Sequence, residues 1–148
     1  MTGGYHTHWT PLPPIPAIAS TTVQQKGMAM GEDLSAAIVQ VIQATRVDLS
    51  NEKAAQEQIA LALAAAGIAH QREVRLAPRD IPDFLADGVA IEVKLRGARK
   101  MDVFRQLERY CTHERVQSII LASNLSMTLP AEINGKPARF VSLGRSWL

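Results

Sequence analysis

Residues Ile81–Arg96, IPDFLADGVAIEVKLR, decide how this chain is read. Asp87-Gly88 is a strong signal for a two-residue hairpin turn. Counting back from that turn, Ala86 pairs with Val89, Leu85 with Ala90, Phe84 with Ile91 and Asp83 with Glu92. Strand residues two apart share a face, so Lys94 stands on the same face as Glu92. The hairpin therefore sets two carboxylates opposite each other, with an ammonium one step along. Like charges directly opposite in a ladder destabilise it, and a nearby cation relieves the repulsion.

Asp83, Glu92 and Lys94 have the composition of a magnesium site with an activating base. Mg²⁺ takes oxygen ligands in octahedral geometry, using one or two protein carboxylates and keeping several waters. Asp83 and Glu92 supply the carboxylates, and the main-chain carbonyl of Val93 is a third candidate ligand. Lys94 is placed to orient an attacking water, to help deprotonate it, or to stabilise charge on a phosphate. The same spacing also suits a surface hairpin with an Asp–Lys cross-strand pair, worth about 0–1 kcal/mol.

The flanking elements supply context. Residues Glu32–Arg46 have helical period, with Leu34, Ile38, Val41 and Ile42 on one stripe. Ser50 or Asn51 can cap a second helix over about Glu52–Ala66, and Gly67 is its natural stop. Ile59 and Leu63 mark the buried face of that helix. Glu52 and Gln56 continue this stripe, while Glu57 lies beside it with Leu61, so either glutamate is a candidate to complete a metal site. Glu52 equally suits a solvated first-turn acid favoured by the helix dipole. Arg72–Leu76 reads as a short alternating strand and Met101–Glu114 as a helix with Phe104, Leu107 and Cys111 at core spacing. Gln106, Tyr110 and His113 fall along one stripe of that helix, at the sheet edge, within reach of the hairpin face. Ordinary hydrogen-bonded boundary positions are the alternative for these three, most strongly for His113. Val116–Ala122 has the composition of a buried strand, parallel to a neighbour because a helix precedes it. Asn134-Gly135 is a second hairpin turn, between Ala131–Ile133 and Lys136–Leu143.

The fold class that follows is α/β, in the order α-α-β-β-β-α-β plus a terminal β-hairpin. At 148 residues the chain fits one domain, 31–148, preceded by a Pro-rich irregular arm, 1–30. Four of the eight prolines fall in Pro11–Pro16. His6 and His8 in that arm are weak evidence for a metal site, because an irregular segment is expected to fix little geometry. The net charge of +2 says little, but Lys94–Arg115 holds seven Lys or Arg against three acids. Arg96, Arg99, Lys100, Arg105 and Arg109 are therefore candidate phosphate contacts, although an amphipathic helix with a solvated basic face has the same composition. The single cysteine, Cys111, excludes an intrachain disulfide and a multi-cysteine zinc site. A cytoplasmic protein without a signal peptide or a membrane span is expected.

Pro82-Asp83, eight residues, then Glu92-Val93-Lys94 resembles the signature of the PD-(D/E)xK nuclease superfamily, which includes restriction endonucleases, Holliday-junction resolvases, VRR-NUC domains and RecB-like exonucleases. Gln106-Leu-Glu-Arg-Tyr110 is similar to the QxxxY motif that RecB-like members carry on the following helix. The resemblance covers about residues 51–125. It implies a restriction-endonuclease-like core, a mixed central sheet flanked by helices, and Mg²⁺-dependent phosphodiester hydrolysis, with Mn²⁺ able to substitute. By it, Asp83 and Glu92 are metal ligands, Lys94 is catalytic, Gln106 and Tyr110 support the site, and Glu52 or Glu57 fills the upstream helical position. The expected function is a DNA endonuclease, with RNA as the other substrate class. The expected assembly is a homodimer using the Leu34–Ile42 helix and the arm. The competing reading is a catalytically silent nuclease-fold protein for nucleic-acid binding or assembly.

Overall fold

A computed structural model describes residues 33–144, so the arm, 1–30, lies outside the described residues. Its elements are helix α1 over 33–43, helix α2 (Glu52–Ala65), strands β1 (Gln71–Arg72), β2 (Phe84–Ala86) and β3 (Val89–Lys94), helix α3 (Lys100–Tyr110), and strands β4 (Ser118–Ser123), β5 (Glu132–Ile133) and β6 (Lys136–Ser142). The six strands form one mixed sheet in the order β1-β2-β3-β4-β6-β5. The chain is thus α/β, and from Leu34 onward its described residues form one compact unit.

The hairpin has the expected register: Phe84 pairs with Ile91, Leu85 with Ala90 and Ala86 with Val89. Asp87 and Gly88 both have positive φ, 46° and 85°, as a two-residue turn with the twist of its flanking strands requires. β3 then runs parallel to β4, with α3 as the connection, and β4 runs parallel to β6. Two apolar layers cover the sheet. Val89, Ile91 and Val93 of β3 pack with Ile38 and Ile42 of α1 and with Ile59 and Leu63 of α2. Leu85 and Ala90 pack instead with Val103, Leu107 and Tyr110 of α3. Period-two alternation places Glu92 and Lys94 on the Ala90 side, under α3.

Several expectations are corrected. The Arg72–Leu76 strand shrinks to Gln71–Arg72 because Glu73 has a left-handed backbone, φ 49°, which turns the chain off the sheet. Of the two expected caps for α2, Asn51 is the one used, its side chain accepting the Ala54 N–H at 3.1 Å. α3 stops at Tyr110 rather than Glu114, and His113 lies in the turn beyond it. The apolar stripe of α1 packs on the chain's own core, with Ile38 and Ile42 both buried and Leu34 and Val41 partly buried. No helix among the described residues is long and apolar enough to cross a membrane.

Candidate active site

β2 stops at Phe84, one residue before the expected Asp83–Glu92 pair, and side chains take over the pairing from there. The Glu73 N–H reaches the Asp83 carbonyl at 3.0 Å, tying Asp83 to the β1 side. The Asp83 N–H donates to Glu92 Oε1 at 3.2 Å, and the Val93 N–H donates to Asp83 Oδ2 at 2.8 Å. Along β3, every second residue turns its N–H and C=O toward β2, and Val93 is one of these. The residue that continues the register opposite Val93 is Pro82. Proline has no N–H to give, so a ladder continued past Phe84 would offer the Val93 carbonyl no donor. One turn further, the Leu95 N–H donates to Glu52 Oε2 at 3.2 Å. The open edge of β3 is thus lined by the carboxylates of Asp83 and Glu52, with the Val93 carbonyl lying along the chain between the two N–H groups they accept, those of Val93 and Leu95.

Glu92 is the buried centre of the group, 2% exposed. Its Oε1 also accepts the Tyr110 hydroxyl at 3.2 Å, and its Oε2 faces Lys94 Nζ at 3.3 Å. Gln106 Nε2 donates to the Tyr110 hydroxyl oxygen at 2.8 Å. The chain Gln106–Tyr110–Glu92 fixes the Glu92 carboxylate from the α3 side, as residues four apart on one helix face can do.

The electrostatics follow from burial. Burial pushes the Glu92 carboxyl up, and the neighbouring Asp83 charge pushes it further. Asp83 is also raised, chiefly by burial, against the lowering effects of the Val93 N–H and the Lys94 charge. For Lys94, burial alone lowers the ammonium, but the charge and hydrogen bond of Glu92 outweigh it, so the group is held above the usual lysine range. Tyr110 is raised by burial and by the Glu92 charge, and acts as a neutral donor. A buried glutamate and a half-buried aspartate sharing one ammonium favour holding a proton, which a bound cation would displace.

All the donors near the open edge are oxygens, which suits Mg²⁺ or Mn²⁺ and disfavours zinc. Among the described residues no three or more His, Cys, Asp or Glu gather as a metal-holding group. The set that fits Mg²⁺ is therefore the smaller one, two carboxylates and a main-chain carbonyl, with water completing the shell.

The remaining sequence candidates separate cleanly. Glu52 reaches the site, whereas Glu57 points away and pairs with Arg72 at 2.9 Å. His113 does not: its Nε2 meets Asp80 Oδ2 at 2.8 Å. Because an ionised carboxylate only accepts, that ring nitrogen carries the proton. Arg109 is engaged by the same acid, Nε to Oδ1 at 2.9 Å. Asp80 is the residue that sequence reading missed. Nothing in the local pattern of Pro78-Arg79-Asp80-Ile81 marks an acid whose partners lie about thirty residues on. Arg96, Arg99, Lys100 and Arg105 are exposed. Arg99 is also the N-cap of α3, with no side-chain cap bond, which leaves first-turn N–H groups for solvent or an anion. A depression of about 460 Å³ lies beside Lys94 and is lined by Arg99, Arg105, Gln106 and Arg109.

Comparison with known proteins gave no match. No family model, curated protein or solved structure matches the chain.

Two structural predictions follow from these contacts. Tyr110→Phe removes a donor from buried Glu92 and an acceptor from Gln106, and is expected to cost about 1–2 kcal/mol at neutral pH. Urea denaturation of both proteins measures it, and an unchanged midpoint would show that the hydroxyl carries no weight. Asp80 is held below the usual carboxylate range, first by the His113 hydrogen bond and also by Arg109. A depressed carboxyl contributes stability above its unfolded pKa and loses it as pH falls through the folded value. Asp80→Asn is therefore expected to lower the urea midpoint at pH 7 and to leave it almost unchanged at pH 2.

Proposed function

We propose that this protein is a Mg²⁺-dependent nuclease that hydrolyses phosphodiester bonds in DNA, as an endonuclease. The observation that carries the reading is the buried Glu92 beside the half-buried Asp83 at the frayed end of the hairpin. The pair sits beside the Val93 carbonyl, and Lys94 Nζ is 3.3 Å from Glu92. Such a pair destabilises a metal-free fold, and a divalent cation relieves it. Asp83, Glu92 and the Val93 carbonyl would hold the ion, with Glu52 next in line along the β3 edge. When bound, the ion polarises the scissile phosphate and makes water a stronger acid.

The chain's own residues then have defined tasks. Lys94 brings a fixed positive charge to the phosphate, where charge builds up in the transition state. It also presents ammonium donors that orient the attacking water. Tyr110, held by Gln106, keeps Glu92 aimed while its charge state changes. The exposed Arg99 and Arg105 attract the polyanionic strand.

The test is incubation of the purified protein with supercoiled, linear, single-stranded and branched DNA in Mg²⁺ or Mn²⁺. Cleavage of at least one form, stopped by chelation, supports the reading. Binding with a steep salt dependence but no cleavage of any form, of DNA or of RNA, would establish the silent binding protein instead.

A further inference from the structure

We infer that the depression beside Lys94 is a phosphate subsite, built to hold a strand phosphate adjacent to the one that is cleaved. This inference rests on the nuclease reading for the identity of its ligand, and it goes further by naming the residues that place the strand.

The depression, about 460 Å³, is lined by Lys94, Arg99, Asp102, Arg105, Gln106 and Arg109, among others. Its charges are unequal in what they already do. Lys94 is paired with Glu92, and Arg109 with Asp80. Arg99 and Arg105 make no ion pair with any described residue. One acid, Asp102, stands against these four cations. Like charges gathered around a concave surface raise one another's energy, and the field focuses toward the cavity. An anion bound there removes that cost.

The shape of the donors selects the anion. A guanidinium presents a planar fork that matches the oxygens of phosphate, and two such groups grip it from two sides. A nucleobase is the wrong occupant, because no aromatic ring lines the depression to stack on it. Position then separates this phosphate from the scissile one. Lys94 is shared, touching Glu92 with its ammonium while lining the depression, so a phosphate here is a neighbour of the carboxylates rather than their ligand. Gln106 joins the two places as well, since it lines the depression and donates to Tyr110 at 2.8 Å.

The subsite accepts a phosphate from either of two sources, a strand terminus or an internal linkage. Binding of short fluorescein-labelled DNA strands, measured by anisotropy in EDTA, distinguishes them without needing catalysis. One strand series replaces each internal phosphate in turn by an uncharged methylphosphonate. A second series carries a phosphate or a hydroxyl at the 5′ or the 3′ end. The expected result is one position at which loss of charge weakens binding by about 10-fold. That loss should fall below about 2-fold in the Arg99→Gln/Arg105→Gln double variant, as coupling between contacting groups requires. It should persist in Arg139→Gln, which changes an exposed arginine on β6 outside the depression. A sensitive terminus identifies a strand-end substrate, and a sensitive internal linkage identifies a continuous strand; both support the subsite. Equal losses at every position, or a sensitive position that survives in the double variant, would overturn it. The nuclease reading is scored separately, by cleavage in Mg²⁺ or Mn²⁺. Cleavage with no coupled position leaves the nuclease and removes the subsite, whereas a coupled position without cleavage does the reverse.

Discussion

Replacing Lys94 by alanine is expected to lower DNA cleavage by about 10²–10⁴-fold, the range for removing one positioned acid–base or charge-stabilising group. The stabilisation of the protein by Mg²⁺ should survive, because Lys94 is not among the metal-holding oxygens. The geometry also separates two roles for this residue. Glu92 lies 3.3 Å from Nζ and holds the ammonium above the usual lysine range. A lysine kept protonated is a poor base and a good fixed charge. Lys94→Arg keeps the charge and should retain more activity than Lys94→Ala, by about 10-fold or more. If arginine were as inactive as alanine, the charge role would fail and a proton-transfer role would stand. If Lys94→Ala cut DNA at the wild-type rate, the site itself would be misplaced. Both variants should fold, since Glu92 can take up a proton when its partner is removed.

How much of this was legible in advance depended on the range of the interaction. The turn at Asp87-Gly88 set the register through local backbone chemistry, and Phe84–Ile91, Leu85–Ala90 and Ala86–Val89 pair as counted. The same counting failed one step later. A ladder that would have put Asp83 opposite Glu92 ends at Phe84, and beyond it the Asp83 N–H donates to the Glu92 side chain. The carboxylates still meet the hairpin, but through side-chain to main-chain bonds that periodicity does not describe. Glu52 and Glu57 were equivalent candidates from the sequence. Only the approach of α2 to the end of β3 separates them, with Leu95 on one side and Arg72 on the other. Gln106 and Tyr110 were readable because four-residue spacing on a helix is local. His113 was not, because α3 ends three residues before it and Asp80 arrives from another loop. Periodicity therefore located the wall of the site, and tertiary contacts decided which charges face it.

Asp83→Asn is expected to raise the stability of the metal-free protein at alkaline pH and to abolish its response to Mg²⁺. The sign follows from proton linkage. Asp83 and Glu92 are raised in the folded protein, to about 6 and about 8, whereas both titrate near 4 in an unfolded chain. Between those values the folded state binds more protons than the unfolded state, so stability falls as pH rises. The contribution is fully present below about pH 4 and is lost as pH climbs through the folded values. Asparagine at position 83 keeps an acceptor for the Val93 N–H and removes one of the two facing charges. Glu92 then loses its close repulsive neighbour, and the downward slope of stability with pH should flatten. A gain in melting temperature of about 3–8 °C at pH 8.5 is the expected size for a protein of this length. Mg²⁺ should act on the wild type in the complementary way. An ion bound between the two carboxylates must displace their retained proton, so it should raise the melting temperature more at pH 8.5 than at pH 6. Saturation at about 100 times the dissociation constant corresponds to about 2.7 kcal/mol. Thermal melts of both proteins, with Mg²⁺ and with EDTA at each pH, read all of these quantities. An equal Mg²⁺ shift in wild type and Asp83→Asn would remove Asp83 from the metal site, whereas a flat wild-type pH profile in EDTA would remove the charge pair that motivates the site.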